Sequence, residues 1–199
     1  KILGLLACAL VFSIMLTLPA CNFVNLSKLL ASSQSSESNQ STSNPSSKSS
    51  QSSATSSISK DVLVKSDDGS ISISVPHGWN TKDTTLNNLA VIGVSDLKNS
   101  QYLLVMREAK SDFADSFTIN DYMAAVKSSM TSKFTDPVWE DISNVTIGGC
   151  NALATKVSAT YDKFNLVYWV NIVEGKNYYY QVLGYTVKSK EQANEPVIQ

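Results

Sequence analysis

Few side chains in this 199-residue chain can do chemistry beyond packing. They are the thiols of Cys8, Cys21 and Cys150, the imidazole of His77, a scatter of carboxylates and a late run of aromatic residues. His77 is the only histidine. A Ser-His-Asp site would need it beside a positioned serine, and no G-x-S-x-G element is present. Its place between Pro76 and Gly78 is that of an exposed turn residue. Cys150 follows Gly148-Gly149 and opens an apolar stretch, which fits a small, half-buried strand residue better than a reactive thiol. Asp67-Asp68-Gly69-Ser70 sets acidic oxygens at a tight turn, but the twelve-residue ligand spacing of a calcium loop is absent. Hairpin turn chemistry accounts for these residues. Glu108, Asp112 and Asp115 read as solvated loop charges. The most suggestive group is aromatic: Tyr168, Trp169, Tyr178, Tyr179 and Tyr180 fall on two neighbouring strand candidates. Strand alternation divides them between two faces, one set packing under a helix; the other is expected to pack across strands beneath a second helix, with a partner- or glycan-facing surface as the alternative.

Cys21 stands apart because of what precedes it. From Ile2 to Leu18 the chain carries no charge, and Lys1 lies ahead of it. A basic start, an apolar core and a small residue before a cut describe a secretory signal peptide. The run is short of the ~20 residues that a spanning helix needs. Leu18-Pro19-Ala20-Cys21 resembles a bacterial lipobox, with Leu three residues before the cysteine and a small residue immediately before it. That resemblance implies cleavage after Ala20 and a thioether-linked diacylglycerol on Cys21. Two acyl chains anchor stably, at ~0.8 kcal/mol per buried CH₂, where one would be marginal. Residues 1–20 are thus expected to be a discarded leader, with Cys8 an apolar filler inside it. The protein is expected on the extracytoplasmic face of a membrane, with the membrane itself as one partner.

Residues 21–60 read as a lipidated cysteine and a tether. More than half of the residues from Ser32 to Ser59 are serine, with Gln, Asn and Thr in most gaps. So little apolar surface cannot offset the entropy of ordering the chain. A flexible linker of this length spans about 30 Å end to end.

The remaining residues, 61–199, carry the patterning of one domain. Val62 and Val64, then Ile71, Ile73 and Val75, alternate with polar residues on either side of Asp68-Gly69, a strong hairpin signal. A second pair is expected from Leu89–Val94 and Tyr102–Arg107, joined near Lys98-Asn99-Ser100. One helix follows: Thr118 caps it, Asp121 lies in its first turn, and Ile119, Tyr122, Met123, Val126 and Met130 share a face. Lys127 and Lys133 sit toward its far end, and Asp136-Pro137 is expected to stop it. Strands Trp139–Ile147, Asn151–Thr160, Asn165–Val173 and Asn177–Val187 are separated by tight turns, which predicts an antiparallel meander. Lys190–Gln199 reads as the start of a final helix. The sum is an α+β domain, an antiparallel sheet of about six or seven strands packed with helices.

Ile71–Trp79, ISISVPHGW, resembles the F-x-I-x-x-P-x-x-W opening of PsbP-like domains, including DcrB-type bacterial lipoproteins. Tyr102–Phe113, the helix after it and Gly148–Ala159 follow in that family's order. The resemblance implies an α/β/α sandwich with a full terminal helix. It also implies an accessory or protein-binding role, as some relatives have in photosystem assembly. It carries over no catalytic residue.

Composition names no partner. The chain has 16 basic and 17 acidic residues, a net charge of -1, and 17% charged residues against the roughly 25% usual for soluble domains. Nothing in that balance attracts nucleic acid. The expected reading is a non-catalytic, membrane-tethered accessory module binding an unknown envelope protein, without cofactor or metal. A glycan-binding lipoprotein using the Tyr/Trp strand surface is the alternative, and an enzyme with an unrecognised site is the least supported.

Overall fold

The computed structural model describes residues 61–199, so the leader, Cys21 and the serine tether lie outside the described residues. Alternation becomes a hairpin at the start: β1 (Val62–Lys65) pairs antiparallel with β2 (Ser72–Val75) as a small separate sheet. Its turn is closed by Asp68, whose Oδ1 accepts from the Ser66 and Ser70 hydroxyls at 2.7 Å each, while Gly69 takes a φ of 67°. The turn is docked by Arg107, whose guanidinium meets Asp68 Oδ2 at 2.7 Å.

The main sheet has seven strands. β3 (Ile92–Asp96) and β4 (Gln101–Ala109) form one arm. β5 (Thr135–Trp139), β6 (Ser143–Ile147), β7 (Cys150–Tyr161), β8 (Phe164–Glu174) and β9 (Tyr178–Val187) supply the rest. The order is β3-β4-β9-β8-β7-β5, with β6 also on β7, and every pairing is antiparallel. The expected meander runs β6-β7-β8-β9, closed through β9 onto β4. Between them runs α1 (Ile119–Thr131), whose inward face is the expected set Ile119, Tyr122, Met123, Val126 and Met130. Thr118 and Asp121 form a reciprocal capping box, with Thr118 N–H donating to Asp121 Oδ2 at 2.9 Å.

α1 covers one face of the sheet. The β1–β2 hairpin and α2 (Glu191–Ile198) cover the other, giving two apolar clusters on opposite sides. α2 is held by Asn194, whose Oδ1 accepts from Gln101 and whose Nδ2 donates to Asn99 O and Thr186 Oγ1, all at 2.7–2.9 Å.

Three element boundaries differ from expectation. β3 starts at Ile92 rather than Leu89, because Asn87 Oδ1 takes the Leu89 N–H at 2.8 Å in a local turn and leaves Leu89 exposed. α1 ends at Thr131, and Asp136-Pro137 lies within β5 instead of stopping the helix. Asp136 has a φ of 50°, and the pairing with β7 slips there, so an edge bulge absorbs the proline's missing N–H. The expected strand Trp139–Ile147 is broken into parts of β5 and β6, both on the same edge of β7. At the break the main chain turns to β7, with Glu140 N–H donating to Lys156 O and Glu140 O accepting from Thr155 Oγ1.

Candidate functional site

Pairing puts Tyr102, Tyr185 and Tyr168 side by side across β4, β9 and β8. Their rings stack at 4.9 Å between centroids, and Phe134 extends the row by stacking on Tyr168 at 5.3 Å. This aromatic ladder forms part of the floor beneath the second half of α1. Val126 and Met130 hang from the helix above it, and the Leu86-Asn87 loop approaches from one side. The packing leaves a cavity, lined also by Met106, Lys133, Gln181 and Leu183.

The cavity is largely apolar, and its buried polar atoms are therefore informative. Gln181 is 3% exposed and Tyr168 4%, yet neither Gln181 Oε1 nor the Tyr168 hydroxyl has a hydrogen-bond partner among the described residues. A buried polar group without a partner costs about 1–3 kcal/mol, so such groups are rare in a settled core. Asn87 Nδ2 donates one of its two N–H groups to the Met106 sulfur at 3.5 Å, a weak acceptor. Burial holds the Tyr168 phenol well above the usual tyrosine range, so it stays protonated and able to donate. Burial also lowers the pKa of the Lys133 ammonium in the cavity lining.

The five aromatic residues singled out by sequence do not make one surface. Tyr168 and Tyr179 pack on the α1 side, Tyr179 stacking on Tyr122 at 5.0 Å. Trp169 is 4% exposed on the α2 side, its Nε1 donating to Glu195 Oε1 at 3.3 Å. α2 therefore covers the residue that a glycan platform would have needed most. Tyr178 and Tyr180 remain half-exposed, 6.0 Å apart, with the Arg107 guanidinium 4.8 Å above the Tyr178 ring. The candidate surface thus contracts to these two.

Asp112 and Asp115 are exposed, as expected. Glu108 is not the solvated loop charge expected of it. It is the inward-facing residue of β4 opposite Tyr179, half-buried near Tyr122. Burial raises its carboxyl above the ordinary range, Asp112 adds to the rise, and Tyr122 opposes it. His77 is exposed on its turn and Cys150 half-buried at the start of β7. Among the described residues, no group of three or more His, Cys, Asp or Glu is placed to hold a metal ion.

Sequence reasoning passed over Gln181, although a signal was there. Tyr179, Leu183 and Tyr185 share its inward phase on β9, so a glutamine among them stands in a core position.

A mostly antiparallel sheet with helices on both faces defines a PsbP-like α+β fold. Among solved structures, the chain is similar to cyanobacterial PsbP (CyanoP) from Synechocystis sp. PCC 6803. The TM-score is 0.52 and the identity 10%, over 74% of this chain and 92% of that one. A protein of unknown function from Pseudomonas aeruginosa, PA94, also matches, with a TM-score of 0.44 and 11% identity over 68% of this chain and 89% of that one. No family model and no curated protein matches the sequence.

Proposed function

We propose that the protein is a lipid-anchored accessory module of the cell envelope, held to an extracytoplasmic membrane face by a diacylglyceryl group on Cys21. On this reading its PsbP-like domain is non-catalytic and engages a partner protein. The observation that carries the reading is Leu18-Pro19-Ala20-Cys21 directly after an uncharged apolar run. A serine-rich stretch between that cysteine and the domain is what a domain needs to reach partners away from a membrane surface. The exposed position of His77, the sole imidazole, supports the non-catalytic part.

The test combines fractionation and capture in cells. The wild-type protein should partition with membranes and take up a clickable fatty-acid label, and Cys21→Ala should lose both. Crosslinking in intact cells should then capture one recurrent envelope protein through the domain. An unlabelled wild-type protein, or Cys21→Ala still anchored in the membrane, would sink the anchor. A second reading, glycan binding, is favoured by the half-exposed Tyr178–Tyr180 pair. It requires muropeptides to shift the ring resonances of those two tyrosines, and no shift across a panel removes it.

A further inference from the structure

The main sheet has two edges, and they are finished differently. The β3 edge is closed by the segment before it: Asn80 and Ser95 exchange main-chain hydrogen bonds at 2.7 and 3.0 Å, and Asp83 N–H donates to Gly93 O at 2.8 Å. The opposite edge is made by β5 and then β6, which follow one another along β7. In β5 it is guarded by Pro137, which has no N–H to offer, and by the bulge at Asp136. β6 has no such guard. Ser143–Ile147 carries neither charge nor proline, and Ile142 and Ile147 are both exposed.

Hairpin geometry identifies the main-chain groups that are open. Gly148 and Gly149, with φ of 59° and 79°, make a two-residue turn between the paired Ile147 and Cys150. Ile147, Val145 and Ser143 therefore exchange hydrogen bonds with β7, and Asn144 and Thr146 turn their N–H and C=O groups off the sheet. Among the described residues no other main-chain group meets them.

We propose that β6 is a self-pairing edge, joining a second copy of this chain strand to strand, antiparallel about a twofold axis at Val145. The register that uses the open groups sets Asn144 of each copy opposite Thr146 of the other. Each such pair exchanges two main-chain hydrogen bonds, and the symmetry makes two pairs. Val145 meets its own counterpart on the axis and Ser143 meets Ile147, so every cross-strand pair is uncharged. Charge favours a second copy as the occupant. From Ile142 to Asn151 the chain carries no charge, and Glu140 and Asp141 fall opposite Cys150 and Gly149 of the other copy, so no like charges meet. The strand also offers no charge along its length by which to select a foreign strand. A five-residue strand pair falls below the ~1,200 Å² of a standard interface, so the dimer is a weak, exchanging one. The pairing is independent of the anchor at Cys21 and of any other protein that the domain engages.

The test is disulfide crosslinking of the purified full-length protein in a Cys150→Ser background, with detergent micelles in excess over chains. On the axis the two Val145 Cα atoms lie about 4.5 Å apart, within reach of a disulfide. Val145→Cys should therefore yield a dimer that peptide mass spectrometry shows to be joined at position 145 of both chains. Val138→Cys, 67% exposed on the guarded strand β5, reports random collision and should crosslink far less. Thr146→Pro removes an N–H that β7 does not use, so the domain should keep its circular dichroism. The axis repeats that loss, and self-association read from the position-145 crosslink should weaken about 5–150-fold, the size of two net hydrogen bonds. Asn144→Pro removes the other open N–H and serves in its place if Thr146→Pro does not fold. The proposal is overturned if Val145→Cys crosslinks no better than Val138→Cys, if its crosslink is unchanged by a folded proline variant, or if position 145 is joined elsewhere than to its counterpart.

Discussion

The most demanding structural prediction concerns Gly184. It lies in β9 between Leu103 of β4 and Trp169 of β8, on the sheet face that α2 covers. A Cβ at this position would stand 2.1 Å from Ile198 Cγ2 and 3.1 Å from Ile198 O. The first contact is with a side chain and the second with main chain, so the Ile198 side chain must move and the last turn of α2 must shift by a few tenths of an ångström. Overpacking of this kind costs about 1–3 kcal/mol. Any lift of α2 also loosens Asn194 from Gln101, Asn99 and Thr186, which pushes Gly184→Ala toward the upper end. For a domain of this size, at roughly 3–5 °C per kcal/mol, Tm should fall by about 5–12 °C. Calorimetry on the wild type, Gly184→Ala, Ile198→Ala and the double variant tests the cause as well as the size. Ile198→Ala alone opens a cavity and destabilises. In the double variant the new methyl occupies the vacated space, so its cost should fall below the sum by about 1–2 kcal/mol. A neutral Gly184→Ala, or strict additivity, would refute the seating of α2 on Gly184.

Three further outcomes follow from the same geometry. Asn194→Ala leaves Gln101 Nε2, Asn99 O and Thr186 Oγ1 short of a partner, and should lower the urea-extrapolated stability by about 1–3 kcal/mol; an unchanged urea midpoint would show the network to be dispensable. Glu108 has a folded pKa raised by burial, so folding favours its protonated form and stability falls as pH rises from the unfolded value, about 4.3, through the folded one. Glu108→Gln should therefore stabilise at pH 7 and give progressively less advantage toward pH 4; a carboxyl NMR midpoint at or below the ordinary glutamate value would contradict the burial argument. Trp169 should resist acrylamide quenching far better than it does in the unfolded chain, because α2 covers it; quenching at the unfolded rate would restore it to the surface.

Elements with a strong local signal were legible in the sequence. Thr118, Asp121 and five apolar residues at helical spacing mark α1 down to its buried face. Asp68-Gly69 and Gly148-Gly149 mark two hairpins, and both glycines of the second pair take positive φ. What failed depended on contacts distant in sequence. Asp136-Pro137 looks like a helix stop until β7 is present to pair across the bulge. Trp139–Ile147 looks continuous until Glu140 finds Lys156 and Thr155. Alternation divides the aromatic cluster between two faces and points to a second helix over one of them, but how much of that face the helix covers depends on where α2 docks, which is set by Asn194 and the absent side chain at Gly184. Gln181 was the residue whose meaning needed the core around it, because only burial distinguishes an orphaned amide from a solvated one.

The account rests on Cys21 being where the mature protein begins. Intact mass and N-terminal peptide analysis of the protein extracted from membranes reads this directly. The expected result is a mature chain starting at Cys21 and carrying the mass of a diacylglyceryl thioether. A mature chain that starts elsewhere, or a Cys21 with a free thiol, would contradict it.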